Sequence, residues 1–262
     1  MTAAPTLIVT GSSRGIGRSI VLLAIQHFGA SVIGVARSQD ALQQLSHHIE
    51  HDLNLKDRFK FVVGDVTAES TATEALTLAS KSWSGQLNGL VLNAAVLDPV
   101  GSIATTSVED WKKSFDINFF SIVTITQLAL PALRAAKGRI ILVSSGAAIY
   151  AYHGWGAYST SKAALNMFGQ ILATEEKDIV TIAIAPGVVD TEMQGIIREK
   201  GATTMVPDQH AEFLHLHATK TLLHPDQPAH VIASLAIKAG SDLSGKFVSW
   251  DDKPLASHQK HA

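Results

Sequence analysis

The stretch TLIVTGSSRGIGRSI, residues 6–20, is a short strand-forming run followed by three glycines, Gly11, Gly15 and Gly17, and then by the start of a helix-like segment. Strand, glycine loop and helix in that order create a ready receptor for a pyrophosphate, because unsatisfied N–H groups at a helix N-terminus point at the anion. Gly11 allows the tight turn, and Gly15 and Gly17 let backbone and helix approach the ligand. Three glycines in seven residues exceed what a structural βα turn requires, so the context predicts dinucleotide binding.

The alternation continues along most of the chain. Runs at 6–11, 31–37, 60–66, 89–95, 138–145, 179–187 and 244–250 read as strands, with helical segments at 15–28, 39–52, 68–83, 107–136, 156–176 and 228–239. Most strand runs are apolar throughout, as parallel strands covered on both faces must be. Repeated βα units with right-handed crossovers predict an α/β protein, a doubly wound parallel sheet of seven strands with helices on both sides. Ligands are then expected at the carboxyl ends of the strands. Residues from about 190 to 227 have no strong strand and many polar side chains. They are expected to form a helical lid within a single domain spanning 1–262.

Composition narrows the function. The 262 residues are 46% hydrophobic and 17% charged, with a net charge of −2 and no cysteine. No basic field argues for nucleic acid or an anionic membrane. Disulfides, thiolate chemistry and cysteine-bound zinc are excluded, which fits a reducing compartment. The N-terminus lacks a basic region, and apolar stretches break before the roughly 18 residues of a spanning segment. A cytoplasmic protein is expected.

At the end of the second strand run stand Ala36, Arg37 and Ser38, where an acidic residue would bind a ribose 2′-hydroxyl and repel a 2′-phosphate. Arg14 in the glycine loop adds a second guanidinium. Two arginines and no carboxylate favour a 2′-phosphate, hence NADPH. Farther on, GWGAYSTSKAALNMFG (154–169) places Lys162 four residues after Tyr158. On a helix the two side chains share one face. From these residues alone, a surface pair and a phenol tuned by a cation both remain open.

With TGSSRGIG, GDVT, NAA, Asn118 in FDINFFS, ILVSS, YSTSK and PGVVDTEM in this order, the chain resembles the short-chain dehydrogenase/reductase family from about residue 6 to 250. Asn93-Ala94-Ala95 departs from the family's Asn-Ala-Gly. The C-terminal LSGKFVSWDD and the 190–227 segment are similar to the sepiapterin-reductase-like and fungal benzil-reductase branch. The resemblance implies a Rossmann fold with strand order 3-2-1-4-5-6-7. It implies that Tyr158 is the general acid, with Lys162 lowering its pKa and holding the cofactor ribose. Ser145 would steady the substrate carbonyl, and Asn118 would hold a relay water. Asp65 would accept from the adenine and Asn93 would brace the strand or the ribose. Ser13, Ile16, Val66, Ala94, Pro186, Gly187, Val188 and Thr191 would complete the cofactor site with Ser38 and the glycine loop.

The activity so implied is NADPH-dependent reduction of a ketone or diketone. A 3-oxoacyl or hydroxysteroid reductase is the alternative on the same machinery, and a non-catalytic NADP(H) sensor is a third. Leu97, Val100, Ala147, Ile149, Tyr150, Tyr152, His153, Trp155 and Met193 are candidates for an apolar, aromatic-lined substrate pocket. The twelve histidines form no metal motif. Arg134, Lys137 and Arg139 are a basic cluster that an acyl-carrier protein could use, or a solvated helix end. The apolar helices at 107–136 and 156–176 look similar to those through which family members pair, implying a homodimer or homotetramer.

Overall fold

A computed structural model describes residues 4–259. Among them β1 (Thr6–Thr10), β2 (Ser31–Ala36), β3 (Phe59–Val63), β4 (Gly89–Leu92), β5 (Arg139–Val143), β6 (Val180–Ala185) and β7 (Phe247–Ser249) form one sheet. The sheet is parallel throughout, in the order β3-β2-β1-β4-β5-β6-β7. Successive side chains alternate between its faces. Leu7 and Val9 join α1 (Gly15–Phe28), α2 (Gln39–His47) and α9 (Asp226–Lys238) on one side. Ile8 joins α3 (Glu69–Lys81), α5 (Ser121–Ala136) and α6 (Gly156–Glu175) on the other. Each fully buried aliphatic side chain stabilises such a core by roughly 1.5–3 kcal/mol.

The helix expected over 107–136 is a continuous rod with a defect. Ser107 caps α4 (Val108–Phe115) by accepting from the Asp110 N–H at 3.1 Å. A π-helical turn, Asp116–Phe120, then precedes α5. By length and composition this rod would also pass as a membrane span, although about a third of its most apolar window is buried. Ile122, Ile125, Ala129 and Leu133 pack on the sheet. A second π turn, His48–Asp52, ends the helix expected over 39–52. Every strand ends before its expected last residue, β3 and β4 by the widest margin. Beyond β3 the chain turns so that Asp65 accepts from Thr67, and beyond β4 Asn93 turns back onto β1. The 190–227 segment is helical as expected, with α7 (Glu192–Thr204) and α8 (Pro207–Ala218).

α1 seats on the end of β1 without a side chain between them. A Cβ on Gly17 would lie 2.1 Å from the Gly11 carbonyl oxygen and 2.6 Å from Asn93 Nδ2. Gly11 itself has φ +67°, a conformation that glycine alone adopts freely. Gly17→Ala must therefore push α1 off the sheet. We expect a loss of at least about 2 kcal/mol, or roughly 4–8 °C in Tm for a protein of this size. Calorimetry checks this, and an unchanged Tm would contradict the close seating.

Candidate active site

The carboxyl ends of the central strands open onto a cleft of about 1250 Å³. That exceeds the ~300–1,000 Å³ of an ordinary small-molecule pocket and leaves room for a dinucleotide beside a substrate. Gly11, Ser13, Arg14, Gly15, Ile16, Gly17, Arg37, Ser38, Asp65, Val66, Asn93, Ala94, Pro186, Gly187, Val188 and Thr191 all line it. So do Leu97, Ala147, Tyr152, Trp155 and Met193, together with Ser145, Tyr158 and Lys162.

The glycine loop is held from behind. Gly11 N–H donates to the Val35 carbonyl at 2.8 Å. Asn93 Nδ2 donates to the carbonyls of Thr10 (3.0 Å) and Gly11 (3.3 Å). Asn93 thus braces β1, one of the two roles open to it. The N-terminus of α1 has no side-chain cap, so its N–H groups remain available to an anion. A Cβ on Gly15 would meet Thr191 Cγ2 at 3.3 Å, across the cleft. Asp65 is held below the usual carboxylate range by the backbone N–H and hydroxyl of Thr67 and by nearby Arg37, against the opposing effect of burial. No acid stands at the end of β2; Ser38 there caps α2 through the Ala41 N–H at 3.4 Å. This donor set fits a nicotinamide dinucleotide.

On the other side of the cleft the reactive groups are buried. Lys162 is 2% exposed and its Nζ donates to the Val143 carbonyl at 2.7 Å. It lies 5.8 Å from the centroid of the Tyr158 ring. Burial pushes Lys162 down to about 8. Burial also raises Tyr158 above the ordinary phenol value, and a hydrogen bond with Ser145 works in the opposite direction. The expectation of a phenol depressed by the lysine is therefore not met in the protein alone: desolvation dominates. Ser144, the rival of Ser145, donates to Asn166 Oδ1 at 2.6 Å.

Asn118 sits behind the cleft wall, fully buried in the π turn. Its amide clasps the Val96 peptide at both ends, accepting from the N–H and donating to the carbonyl, each at 2.9 Å. Its side chain thus secures the loop after β4.

The wall of the cleft beside Tyr158 is aromatic. Trp155 stacks on Tyr152 (4.6 Å between centroids) and on Phe213 (5.5 Å), and meets Tyr158 edge-on at 6.0 Å. Phe213, on α8, was not among the sequence candidates; its segment carries only a faint apolar periodicity. Val100 packs behind this wall. Ile149 and Tyr150 are exposed instead, at 62% and 65%. His153 turns from the pocket to α7 and α8: its N–H donates to Gln209 Oε1 (3.0 Å) and its Nδ1 meets the Thr204 carbonyl (2.7 Å). Lys200 of α7 donates to Asp98 at 2.6 Å, and Arg14 pairs with Glu192. The basic cluster is largely occupied. Arg134 makes a two-point contact with Glu176 at 2.5 and 2.8 Å, and Arg139 donates to the Ala239 carbonyl.

Comparison with known proteins agrees with this geometry. A family model described as short chain dehydrogenase matches residues 5–202. Benzil reductase ((S)-benzoin forming) of Saccharomyces cerevisiae is 40% identical over 264 residues, covering 97% of this chain and 98% of that protein. The crystal structure of a short-chain dehydrogenase/reductase from the same yeast is similar with a TM-score of 0.93 at 41% identity, covering 98% of this chain and 100% of that one. Another yeast structure, of a cytoplasmic protein with unknown function, gives 0.78 at 39% identity and covers 98% of this chain and 100% of its own. The chain belongs to the short-chain dehydrogenase/reductase family.

Proposed function

We propose that this protein is an NADPH-dependent carbonyl reductase acting on hydrophobic ketones and diketones. The observation that carries the reading is the convergence of Ser145 with the buried Tyr158 and Lys162 on one part of the cleft, with an aromatic wall beside them. A bound reduced nicotinamide supplies the hydride. Tyr158, kept protonated by burial, donates its proton to the carbonyl oxygen. Ser145 steadies that oxygen as charge builds on it. Lys162 stays cationic below about pH 8 and favours the phenolate left behind. Asn118 supports this arrangement through Val96, and any relay water it held would bind its backbone, since its side chain is occupied.

The glycine loop and Asp65 hold the adenosine and pyrophosphate end. Pro186, Gly187, Val188 and Thr191 hold the nicotinamide end, and α7 with α8 acts as a lid. The absence of an acid at the end of β2 supports NADPH. Likeness to a benzil reductase and the Tyr152–Trp155–Phe213 wall support aryl ketones and diketones. An acyl-carrier partner is less supported, because Arg134 and Arg139 are engaged within the chain. Retention of Ser145, Tyr158 and Lys162 around one cleft argues against a silent sensor. Likeness to the yeast cytoplasmic protein supports a cytoplasmic location. Phe120, Leu128, Met167 and Ile171 expose apolar surface on α6 and on the rod before it, which supports pairing into a homodimer or homotetramer.

With NADPH, initial rates should be highest for aryl diketones and lower for acyl thioesters and steroids. Tyr158→Phe should lower kcat by roughly 10²–10⁴-fold while cofactor affinity changes less than about threefold; substantial turnover without the hydroxyl would defeat the assignment. A second expectation concerns pH. Lys162 loses its proton above about 8, so kcat/KM for the cofactor, which reports groups of the free protein, should decline through that pH. A flat profile from pH 6 to 10 would remove Lys162 from the acid chemistry. For assembly, light scattering should give a dimer or tetramer that Leu128→Glu with Met167→Glu dissociates. A monomeric wild type would overturn the pairing.

A further inference from the structure

Behind the reacting groups α6 carries a second polar side chain inward. Asn166 lies one turn beyond Lys162, on the same helix face, and is buried. The two side chains meet consecutive residues of the neighbouring chain. Lys162 donates to the carbonyl of Val143, the last residue of β5. Asn166 Oδ1 accepts from the hydroxyl of the next residue, Ser144, at 2.6 Å. Ser144 is also where the sheet releases the chain. Its N–H donates to the Ile184 carbonyl of β6 at 2.8 Å, whereas among the described residues the N–H of Ser145 makes no hydrogen bond. Ser145 is otherwise held only by its own turn, its Oγ accepting from the Ala147 N–H and its carbonyl from the Ala148 N–H, each at 3.1 Å. Asn166 does not line the cleft, so any effect it has on the reaction passes through a neighbour.

Resting on the carbonyl-reductase reading above, we propose that Asn166 is a positioning residue for the reaction: through Ser144 it fixes the orientation of Ser145 toward Tyr158. The tie from Lys162 to Val143 is a single point, about which the end of the strand can still swing. A second tie one residue farther on removes that freedom. Both partners are buried, and a buried hydroxyl or amide is costly to leave unpaired, so the bond persists. Ser145 and Tyr158 must address the same substrate oxygen, and a misplacement of about 1 Å in such a pair can cost roughly 10²-fold in rate. The cofactor is gripped by the other half of the cleft and is indifferent to this bond.

The test is the single-turnover rate of NADPH oxidation at saturating aryl diketone for the wild type, Asn166→Ala, Ser144→Ala and the double variant, each made also in a Ser145→Ala background. Circular dichroism verifies that each is folded, and cofactor fluorescence gives NADPH affinity. Should Asn166→Ala not fold, Ser144→Ala, which removes one oxygen, carries the same comparison. Asn166→Ala and Ser144→Ala should each slow the step at least fivefold, and the double variant no further than either alone. NADPH affinity and the half-saturating diketone concentration should change less than threefold, and the pH near 8 at which kcat/KM falls should not move. In the Ser145→Ala background Asn166→Ala should change the rate less than twofold, because no hydroxyl is left to misplace. A smaller effect in the wild type, losses that add in the double variant, or slowing that persists without Ser145 overturns the proposal. A shift in the pH of the fall assigns the effect to Lys162 and overturns it as well. A wild type that reduces no carbonyl compound, or Ser145→Ala as fast as the wild type, overturns the underlying reading instead, so the two failures are distinguishable.

Discussion

The hydrogen bond from Lys162 Nζ to the Val143 carbonyl ties the helix that carries Tyr158 and Lys162 to the strand that leads into Ser145. A nearly inaccessible ammonium must find a partner inside the protein, and here the partner is the last residue of β5. Ser145 lies two residues beyond that carbonyl and Tyr158 one helical turn before the lysine. One contact between strand and helix therefore sets the relative positions of all three groups. Because the partner is a neutral carbonyl rather than a carboxylate, it does little to offset desolvation, and the lysine falls to about 8. A carboxylate in its place would have held the charge more firmly, at the expense of a group able to titrate near neutrality.

The two halves of the cleft are built by different means. On the cofactor side the surface is mostly backbone: an uncapped helix start, a glycine turn, and side chains such as Thr10 and Asn93 that hold the loop from behind. On the other side it is mostly side chain, and part of it comes from α8. Chemistry common to a family thus resides in rigid core elements, while the shape of the pocket depends on a peripheral helical pair fastened by Lys200, His153 and Gln209.

What could be read from the chain follows the same division. The β1–loop–α1 unit is legible because its determinants lie within fifteen residues and each glycine has a local reason. Tyr158 and Lys162 are legible because helical periodicity alone puts them side by side. The π turn is not, since Asp116–Phe120 has nothing in its composition to distinguish it from ordinary helix, and the partner of its Asn118, Val96, is 22 residues away. Phe213 was hidden because its burial comes from Trp155 and Tyr152, not from a pattern along α8. Arg14 and Glu192 are 178 residues apart, and no local rule pairs them. The aromatic neighbours of His153 suggest a pocket residue, yet its hydrogen bonds go to α7 and α8.

The π turn has a geometric corollary. A helix advances by about 100° per residue, so one extra residue in a turn rotates everything after it by that angle. α4 and α5 are consequently out of phase, and in that phase Ile122, Ile125 and Leu133 meet the sheet. Excising a single residue at the joint would swing this row of side chains sideways, off the core. The count of residues between Phe115 and Ser121 is thus as tightly constrained as the identity of the asparagine among them.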